Sequence, residues 1–201
     1  VVLESKTRAL ELLAHLKGTV VNVIPGFGVV IETTGALVQG IWGAGGEAQG
    51  VLKMLVEDPG EQLTSEAIDL GCHGAIVVGG SLADLETLER ATQMQVCGII
   101  VGSIGVDLVE QASPPPCPII ATEGVGQVPM ALVIFELLRS HAGREASISG
   151  VTRLGGETVR PEVIIPLPKG EAAPVSPRFG DALKAGARVR VIPVSYTHLR
   201  A

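Results

Sequence analysis

Cys72-His-Gly-Ala-Ile-Val-Val-Gly-Gly-Ser81, Cys97-Gly-Ile-Ile-Val-Gly-Ser103 and Cys117-Pro-Ile-Ile-Ala-Thr-Glu-Gly124 share one pattern: a cysteine, a short apolar run and a small or polar end. Helical patterns separate these segments, so residues 72–141 are predicted to fold as β-α-β-α-β-α. This alternation is typical of a parallel sheet with helices on its faces. The sequence therefore predicts an α/β protein.

The three apolar runs also predict a core and a candidate ligand site. We expect Val77, Ile100 and Ile119 to be buried on neighbouring parallel strands. Because parallel strands point the same way, the turns that follow them meet at one edge, where open α/β sheets bind ligands. Eight residues form the predicted ligand-binding set: Gly79, Gly80, Ser81, Gly102, Ser103, Thr122, Glu123 and Gly124.

The first of these turns has the character of an anion site. Ser81 precedes Asp84 by three residues, which predicts an approximate capping box and a helix over 82–93. Backbone N–H groups at such a helix start attract anions, and Glu123 could act as an acid or base or bind a cation. The alternative is structural, since short turns between strand and helix favour Gly and Ser whatever the function. No cofactor is predicted, because Gly124-Val-Gly126 matches only part of the dinucleotide fingerprint.

Composition excludes some function classes. The chain has 201 residues, 2% of them aromatic, and a formal net charge of −6, which disfavours both base stacking and a large phosphate-binding face. No apolar stretch reaches the roughly 20 residues that cross a bilayer, so no membrane insertion is expected. The N-terminal residues do not form a signal peptide, and three cysteines without a Cys-x-x-Cys pair fit a reducing compartment. We expect a soluble, cytoplasmic protein.

The pattern divides the chain into six parts. Residues 194–201 resemble the translated read-through of a sequencing adapter, so we treat them as artefactual and the chain as a fragment of a longer protein. The predicted parts are an N-terminal helix over 1–17, a small β-module over 18–60, an α/β domain with a C-terminal extended segment over 61–166, a linker over 167–179, the first strand of a truncated β-barrel over 180–193, and the tail.

Within the β-module we expect a hairpin around Pro25-Gly26 and a third strand over 36–42. The glycine-rich residues 43–50 are predicted to be a flexible connection, followed by a fourth strand over 51–57. Lys53-Met54 in that strand is similar to the Lys-Met step of biotinyl and lipoyl carrier domains, but the alternating pattern around it predicts a solvent-facing strand lysine.

The three cysteines precede their strands, so parallel register would place them together at the N-terminal edge with His73 nearby. Three thiolates and an imidazole suit tetrahedral zinc. Zinc ligands usually come in closely spaced pairs, and a free cysteine is a common small core residue. We therefore expect Cys72, Cys97 and Cys117 to be free of metal.

Two segments resemble known families. Gly18-Thr-Val-Val-Asn-Val-Ile-Pro-Gly-Phe-Gly-Val-Val-Ile-Glu32 and Gly40-Ile-Trp-Gly-Ala-Gly-Gly-Glu47 resemble uncharacterised bacterial multidomain proteins with lipoyl-like barrel-sandwich segments. That resemblance continues to Arg160-Pro-Glu-Val-Ile-Ile-Pro166 and implies no known activity. Ala185-Gly-Ala-Arg-Val-Arg-Val-Ile192 is similar to the first strand of a KOW-type SH3-like barrel, found in transcription elongation factors and ribosomal proteins.

These patterns favour a non-catalytic multidomain scaffold or adaptor that binds a small anionic ligand or a protein partner. The alternative is an enzyme that acts on a phosphorylated small molecule through the Gly79–Ser81 turn and Glu123. A third hypothesis is nucleic-acid association through the missing barrel, although this fragment itself is not expected to bind nucleic acid.

Overall fold

The computed structural model describes residues 13–82, 84–111, 114–152 and 159–168. These residues form two sheets, three α-helices and two short 3-10 turns. The strands are β1 (Thr19–Ile24), β2 (Gly28–Glu32), β3 (Gly35–Gln39), β4 (Trp42–Ala44), β5 (Glu47–Met54), β6 (Ala75–Val78), β7 (Ser81–Leu82), β8 (Gly98–Ile104), β9 (Ile119–Val125), β10 (Glu145–Ser149) and β11 (Glu162–Pro166), and the helices are α1 (Leu85–Gln93), α2 (Val106–Gln111) and α3 (Leu132–Ser140).

A parallel sheet lies at the centre of the molecule. Strands β5, β6, β8 and β9 are adjacent and parallel, and their continuous Val and Ile runs suit strands covered on both faces. Val77, Ile100 and Ile119 lie on three neighbouring strands of this sheet and are fully buried. The prediction of an α/β protein with these three residues in its core is confirmed.

The large sheet curls until its two ends meet. Its strand order is β3-β11-β10-β5-β6-β8-β9-β4, with β7 paired to β8. A flat array of eight strands would place its edges about 34 Å apart. The two residues between Gln39 in β3 and Trp42 in β4 allow at most about 11 Å. The N–H groups of these two residues, Gly40 and Ile41, donate to the carbonyls of Pro161 and Ala121. These hydrogen bonds stabilise the link between the two ends of the sheet.

Two hydrophobic clusters occupy the two faces of the parallel strands. The inner cluster includes Ile76 and Ile100 and extends to Val163 on β11 and Phe135 on α3. The outer cluster includes Val77 and packs beneath α1 and α2. The alternation of side chains along each strand divides the apolar residues between these clusters, so α3 packs on the inner cluster and α1 and α2 pack on the outer one.

The predicted flexible connection over 43–50 is wrong, because these residues enter β4 and β5. Residues Glu47–Val51 pair with β10, and the predicted third strand divides into β3 and β4, which pair with β11 and β9. Glycine composition predicted a loop, but tertiary strand pairing overrides local propensity. Strands β3 to β5 therefore share one sheet with the parallel strands, although the sequence assigned them to a separate β-module.

The β1–β2 hairpin is confirmed and forms a two-stranded sheet of its own. Pro25 and Gly26 lie in its turn, where Gly26 has a φ of +79°. At its base, the Leu167 N–H donates to the Thr34 carbonyl at 2.8 Å, and Lys17 pairs with Glu145 on β10. The hairpin is thus attached to the large sheet only through its base in the part of the chain described.

Several helix boundaries differ from the prediction. Residues 13–17, at the end of the predicted N-terminal helix, are not helical, and Ser65–Ala67 and Leu70–Cys72 form two 3-10 turns. Helix α1 begins at Leu85 because Asp84, rather than Ser81, is its N-cap and accepts the Thr87 N–H at 2.7 Å. None of the helices described is long and apolar enough to cross a membrane. The predictions for residues 1–12, for the linker beyond 168, for the barrel strand at 180–193 and for the tail lie outside the described residues.

Candidate functional site

The eight predicted ligand residues lie within strands more than in turns. Gly102 and Ser103 belong to β8, and Thr122 to Gly124 belong to β9. The register of β8 against β9 shifts between Val101 and Ser103. The polar residues Thr122 and Glu123 therefore form a β-bulge in β9. Gly124, which follows the bulge, has a φ of +100°. Only Ser81 and Glu123 of the eight residues are partly exposed.

The N–H groups of the predicted anion cradle already have acceptors within the protein. The Gly79 N–H donates to the Ile100 carbonyl at 2.9 Å, and the N–H groups of Gly80 and Ser81 donate to the Glu61 carbonyl at 2.9 and 3.2 Å. Because α1 begins four residues after Ser81, its dipole does not reinforce this turn. The anion cradle expected at Gly79–Ser81 is therefore not formed.

Close approach of other segments explains the glycines at this edge. A Cβ atom on Gly80 would lie 2.4 Å from the Glu61 carbonyl oxygen and 2.6 Å from that of Pro59. A Cβ atom on Gly102 would lie 2.4 Å from the Met130 backbone nitrogen. No side chain fits at these positions because another part of the protein's backbone crosses there. The glycines are therefore explained by structure rather than by ligand binding, which is the alternative stated in the sequence-based prediction.

Two polar side chains of the predicted ligand-binding set bind the backbone of the segment around Met130. Ser103 Oγ accepts the Val128 N–H at 3.0 Å, and Glu123 Oε1 accepts the Ala131 N–H at 3.3 Å. Ala131 is the N-cap residue of α3, where a carboxylate is favoured by the helix dipole. Glu123 thus contacts the backbone where the sequence predicted an acid or base.

A cleft of about 500 Å³ remains beyond the crossing segments. Its polar lining comes from Gln62, Ser81, Asp107 and Gln127, and no described residue that lines it is basic. Of the predicted set only Ser81 reaches this cleft. Gln62 and Gln127 could not be predicted from the sequence, because they follow no motif and reach the cleft only through tertiary folding. A cleft with one carboxylate and no cation does not favour the small anionic ligand that the sequence suggested.

A second polar cluster lies on β5 at the other end of the parallel sheet. Lys53 Nζ lies 3.1 Å from Asp69 Oδ1 and 3.5 Å from Cys72 Sγ. The hydrogen bond from Lys53 keeps the pKa of Asp69 below its ordinary value, and the same bond raises the pKa of Lys53. Lys53 lies on a strand and is partly exposed, as the alternating pattern predicts, and the structure adds that its ammonium group pairs with Asp69.

We expect Asp69→Asn to lower the pKa of Lys53, because it replaces the carboxylate that binds the ammonium group. In the wild type, the stability from Asp69 is present above the ordinary pKa of 3.8 and is lost as pH falls through the lower folded value. The stability from Lys53 is present below 10.5 and is lost as pH rises through the higher folded value. Titration of ¹³C-methylated Lys53 by NMR measures the shift, and Asp107→Asn, in the distant cleft, is the control. An unchanged Lys53 pKa would contradict the contact between Lys53 and Asp69.

The cysteines precede their strands as predicted, and all three are free thiols. Burial raises the pKa of the Cys117 thiol to about 12. Among the residues described, no group of three or more His, Cys, Asp or Glu side chains is placed to hold a metal ion.

The β1–β2 hairpin exposes large apolar side chains along its whole length. Val20, Val23 and Val29 are each more than half exposed, and Phe27 at the turn is 90% exposed. A hairpin of two strands is marginally stable alone in water, and monomeric proteins rarely leave a continuous apolar surface open. The two strands were predicted correctly from the sequence, but their exposure was not: nothing within the described residues covers them.

Comparison of the chain with protein-family models, curated proteins and solved structures finds no match. The resemblances drawn from the sequence therefore stay predictions, and function must be argued from the geometry.

Proposed function

We propose that this protein is a non-catalytic scaffold or adaptor that binds a protein partner, and that the partner docks on the β1–β2 hairpin. The observation that carries the proposal is the exposed apolar surface of this separate two-stranded sheet. The three free thiols fit a reducing compartment such as the cytoplasm.

The strand register aligns four of the hairpin's apolar residues on one face. Val20 pairs with Ile31, and Val23 pairs with Val29, across a bulge at Val21. Residues directly opposite each other share a face, and Val29 and Ile31 are two positions apart on one strand. One face therefore carries four β-branched aliphatic side chains, a pattern typical of a sheet that packs on another layer.

The hairpin also has free strand edges in the described structure. Each strand pairs only with the other, and residues 19–31 contain no Lys, Arg, Asp or Glu. Natural edge strands are usually protected by charge, often a lysine, and this hairpin lacks that protection. We infer that the partner supplies an extended, uncharged strand with apolar side chains, which adds to an edge and covers the aliphatic face.

The geometry favours this function over the enzyme alternative. The Gly79–Ser81 N–H groups and the Glu123 carboxylate, which would bind and process a phosphorylated substrate, are engaged with the backbone of residues 61, 100 and 131. Nucleic-acid association through a barrel at 180–193 concerns residues outside those described and stays a prediction.

The test is selection of displayed random peptides of about twelve residues, long enough to span the hairpin edge. The target is the wild-type chain, and the counter-target is the triple variant Val20→Thr, Val23→Thr, Val29→Thr, which keeps strand propensity and side-chain shape. We expect enriched peptides that alternate β-branched residues, carry little charge and bind the wild type only.

The matched control is Val125→Thr, the same exchange at an exposed strand position outside the hairpin, which should bind the peptides like the wild type. Thermal melting must show all three proteins folded. Failure to enrich such peptides, or equal binding to the triple variant, contradicts the proposal.

A further inference from the structure

Lys53, Asp69 and Cys72 form a compact cluster whose three functional groups touch one another. Besides the two contacts of Lys53 Nζ, Cys72 Sγ lies 3.4 Å from Asp69 Oδ1. An amine and a thiol at 3.5 Å are within the separation from which a bond between them can form. No step of the proposed adaptor function uses this cluster.

Local structure fixes the three groups at one point. The inner hydrophobic cluster takes Leu52 and Met54, so the alternation of β5 directs Lys53 to the opposite face. The Cys72 N–H donates to the Asp69 carbonyl at 3.0 Å and closes the 3-10 turn that carries both side chains. A Cβ atom on Gly71 would lie 3.1 Å from Lys53 Nζ, so glycine leaves room for the ammonium group.

Small solutes can reach the cluster through a groove beside it. Cys72 is buried, but the Lys53 and Asp69 side chains that touch its sulfur are 36% and 68% exposed. A groove of about 430 Å³ runs along this region and is lined by Lys53, Gly71 and His73. The groove thus brings a solute the size of a peroxide to Lys53, whose Nζ lies 3.5 Å from the Cys72 sulfur.

We propose that Lys53 and Cys72 are a modification site, at which oxidation by a peroxide joins Nζ to Sγ in a reversible sulfenamide cross-link. In the first step the thiol takes one oxygen from hydrogen peroxide. The O–O bond breaks, an S–O bond forms, the sulfur loses two electrons and the peroxide is reduced to water.

In the second step Lys53, after its ammonium has given a proton to solvent, attacks the sulfenic sulfur. An N–S bond forms, the S–O bond breaks, and hydroxide leaves and takes up the second amine proton as water. Sulfenic acids are known to condense with nitrogen in this way. The sum is one thiol, one amine and one peroxide giving one sulfenamide and two waters. Two equivalents of a thiol reductant restore the thiol and the amine and leave as a disulfide.

Cys117 provides an internal control. It is partly buried, and desolvation raises the pKa of its thiol to about 12, so little of it is present as the reactive thiolate at neutral pH. The cross-link would join β5 to the turn before β6 and leave the hairpin untouched, so its test is independent of partner docking.

The experiment treats the full chain with one equivalent of hydrogen peroxide and measures intact mass and tryptic peptides. We expect a mass loss of about 2 Da, a peptide linking Lys53 to Cys72, loss of tryptic cleavage after Lys53, and reversal by dithiothreitol. Lys53→Arg keeps the cation beside Asp69 and should instead accumulate sulfenic acid at Cys72, which dimedone traps. Cys72→Ser should show neither product.

Thermal melting establishes that both variants are folded. The proposal is overturned if Cys72 in the wild type accumulates sulfenic acid or higher oxides to the extent seen in Lys53→Arg and no peptide linking Lys53 to Cys72 forms. It is also overturned if Cys72 stays reduced while Cys97 or Cys117 reacts.

Discussion

Substitution of Gly102 by valine should destabilise the protein by at least about 3 kcal/mol or prevent folding altogether. The new Cβ atom would lie 2.4 Å from the Met130 nitrogen and 2.6 Å from the Gly80 carbonyl oxygen, and both are backbone atoms that cannot move aside as a side chain can. Gly102 also donates its N–H to Gly80 at 2.8 Å, so any shift that relieves the overlap strains that bond. Urea denaturation followed by circular dichroism measures the loss.

Gly46→Ala is the matched control for Gly102. A Cβ atom on Gly46 meets nothing within 4 Å, so this exchange should change the free energy of unfolding by no more than about 0.5 kcal/mol. Equal stability of the two variants would mean that the backbone crossing at Met130 is absent in solution. If Gly102→Val is severely unstable as expected, glycine variants at this edge cannot serve as tests of ligand binding.

Truncation of Phe135 to alanine should cost about 3–5 kcal/mol of unfolding free energy. Phe135 is fully buried in the inner cluster, between α3 and the closed sheet. The Arg139 guanidinium lies 4.8 Å from the centre of its ring, so the variant also loses a cation–π contact worth about 0.5–1 kcal/mol at an exposed site. Thermal and urea unfolding both report the change.

Val133→Ala, on the same helix, is the control for Phe135. Val133 is 67% exposed, so its truncation should leave stability within about 0.5 kcal/mol of the wild type. If Phe135→Ala were as stable as Val133→Ala, α3 would not close the inner cluster as the structure has it.

The sequence by itself determined three of the four central parallel strands and the hairpin, and it indicated the approximate positions of α1, α2 and α3. Val77, Ile100 and Ile119 lie in uninterrupted aliphatic runs, and such runs bounded by small residues form buried strands in almost any surroundings. Pro25-Gly26 between two β-branched segments likewise specified the hairpin. These features depend on local patterns, which a single sequence displays directly.

The candidate site could be predicted only in part. The sequence correctly placed Ser81 and Glu123 at the C-terminal edge of the parallel sheet, but it could not show which segments cross that edge. In the sequence, Gly80 and Gly102 resemble ligand-binding glycines. A ligand and a backbone segment that passes close to the chain both require a residue without a side chain, so the sequence cannot distinguish them. Residues 59–61 lie against Gly80, and Met130 lies against Gly102. Each of these segments is distant in the chain from the glycine that it contacts, so the sequence does not show the contact.

Only the tertiary structure decided that β3 and β4 close the sheet on itself, and that residues 43–44 and 47–50 belong to strands. Their glycines weaken local strand propensity, and pairing with β9 and β10 supplies the backbone hydrogen bonds that compensate. The tertiary structure also decides the contact of Lys53 with Cys72 and the exposure of the hairpin. Periodicity specifies which side chains an element can bury, whereas the positions of other elements determine which neighbours those side chains meet.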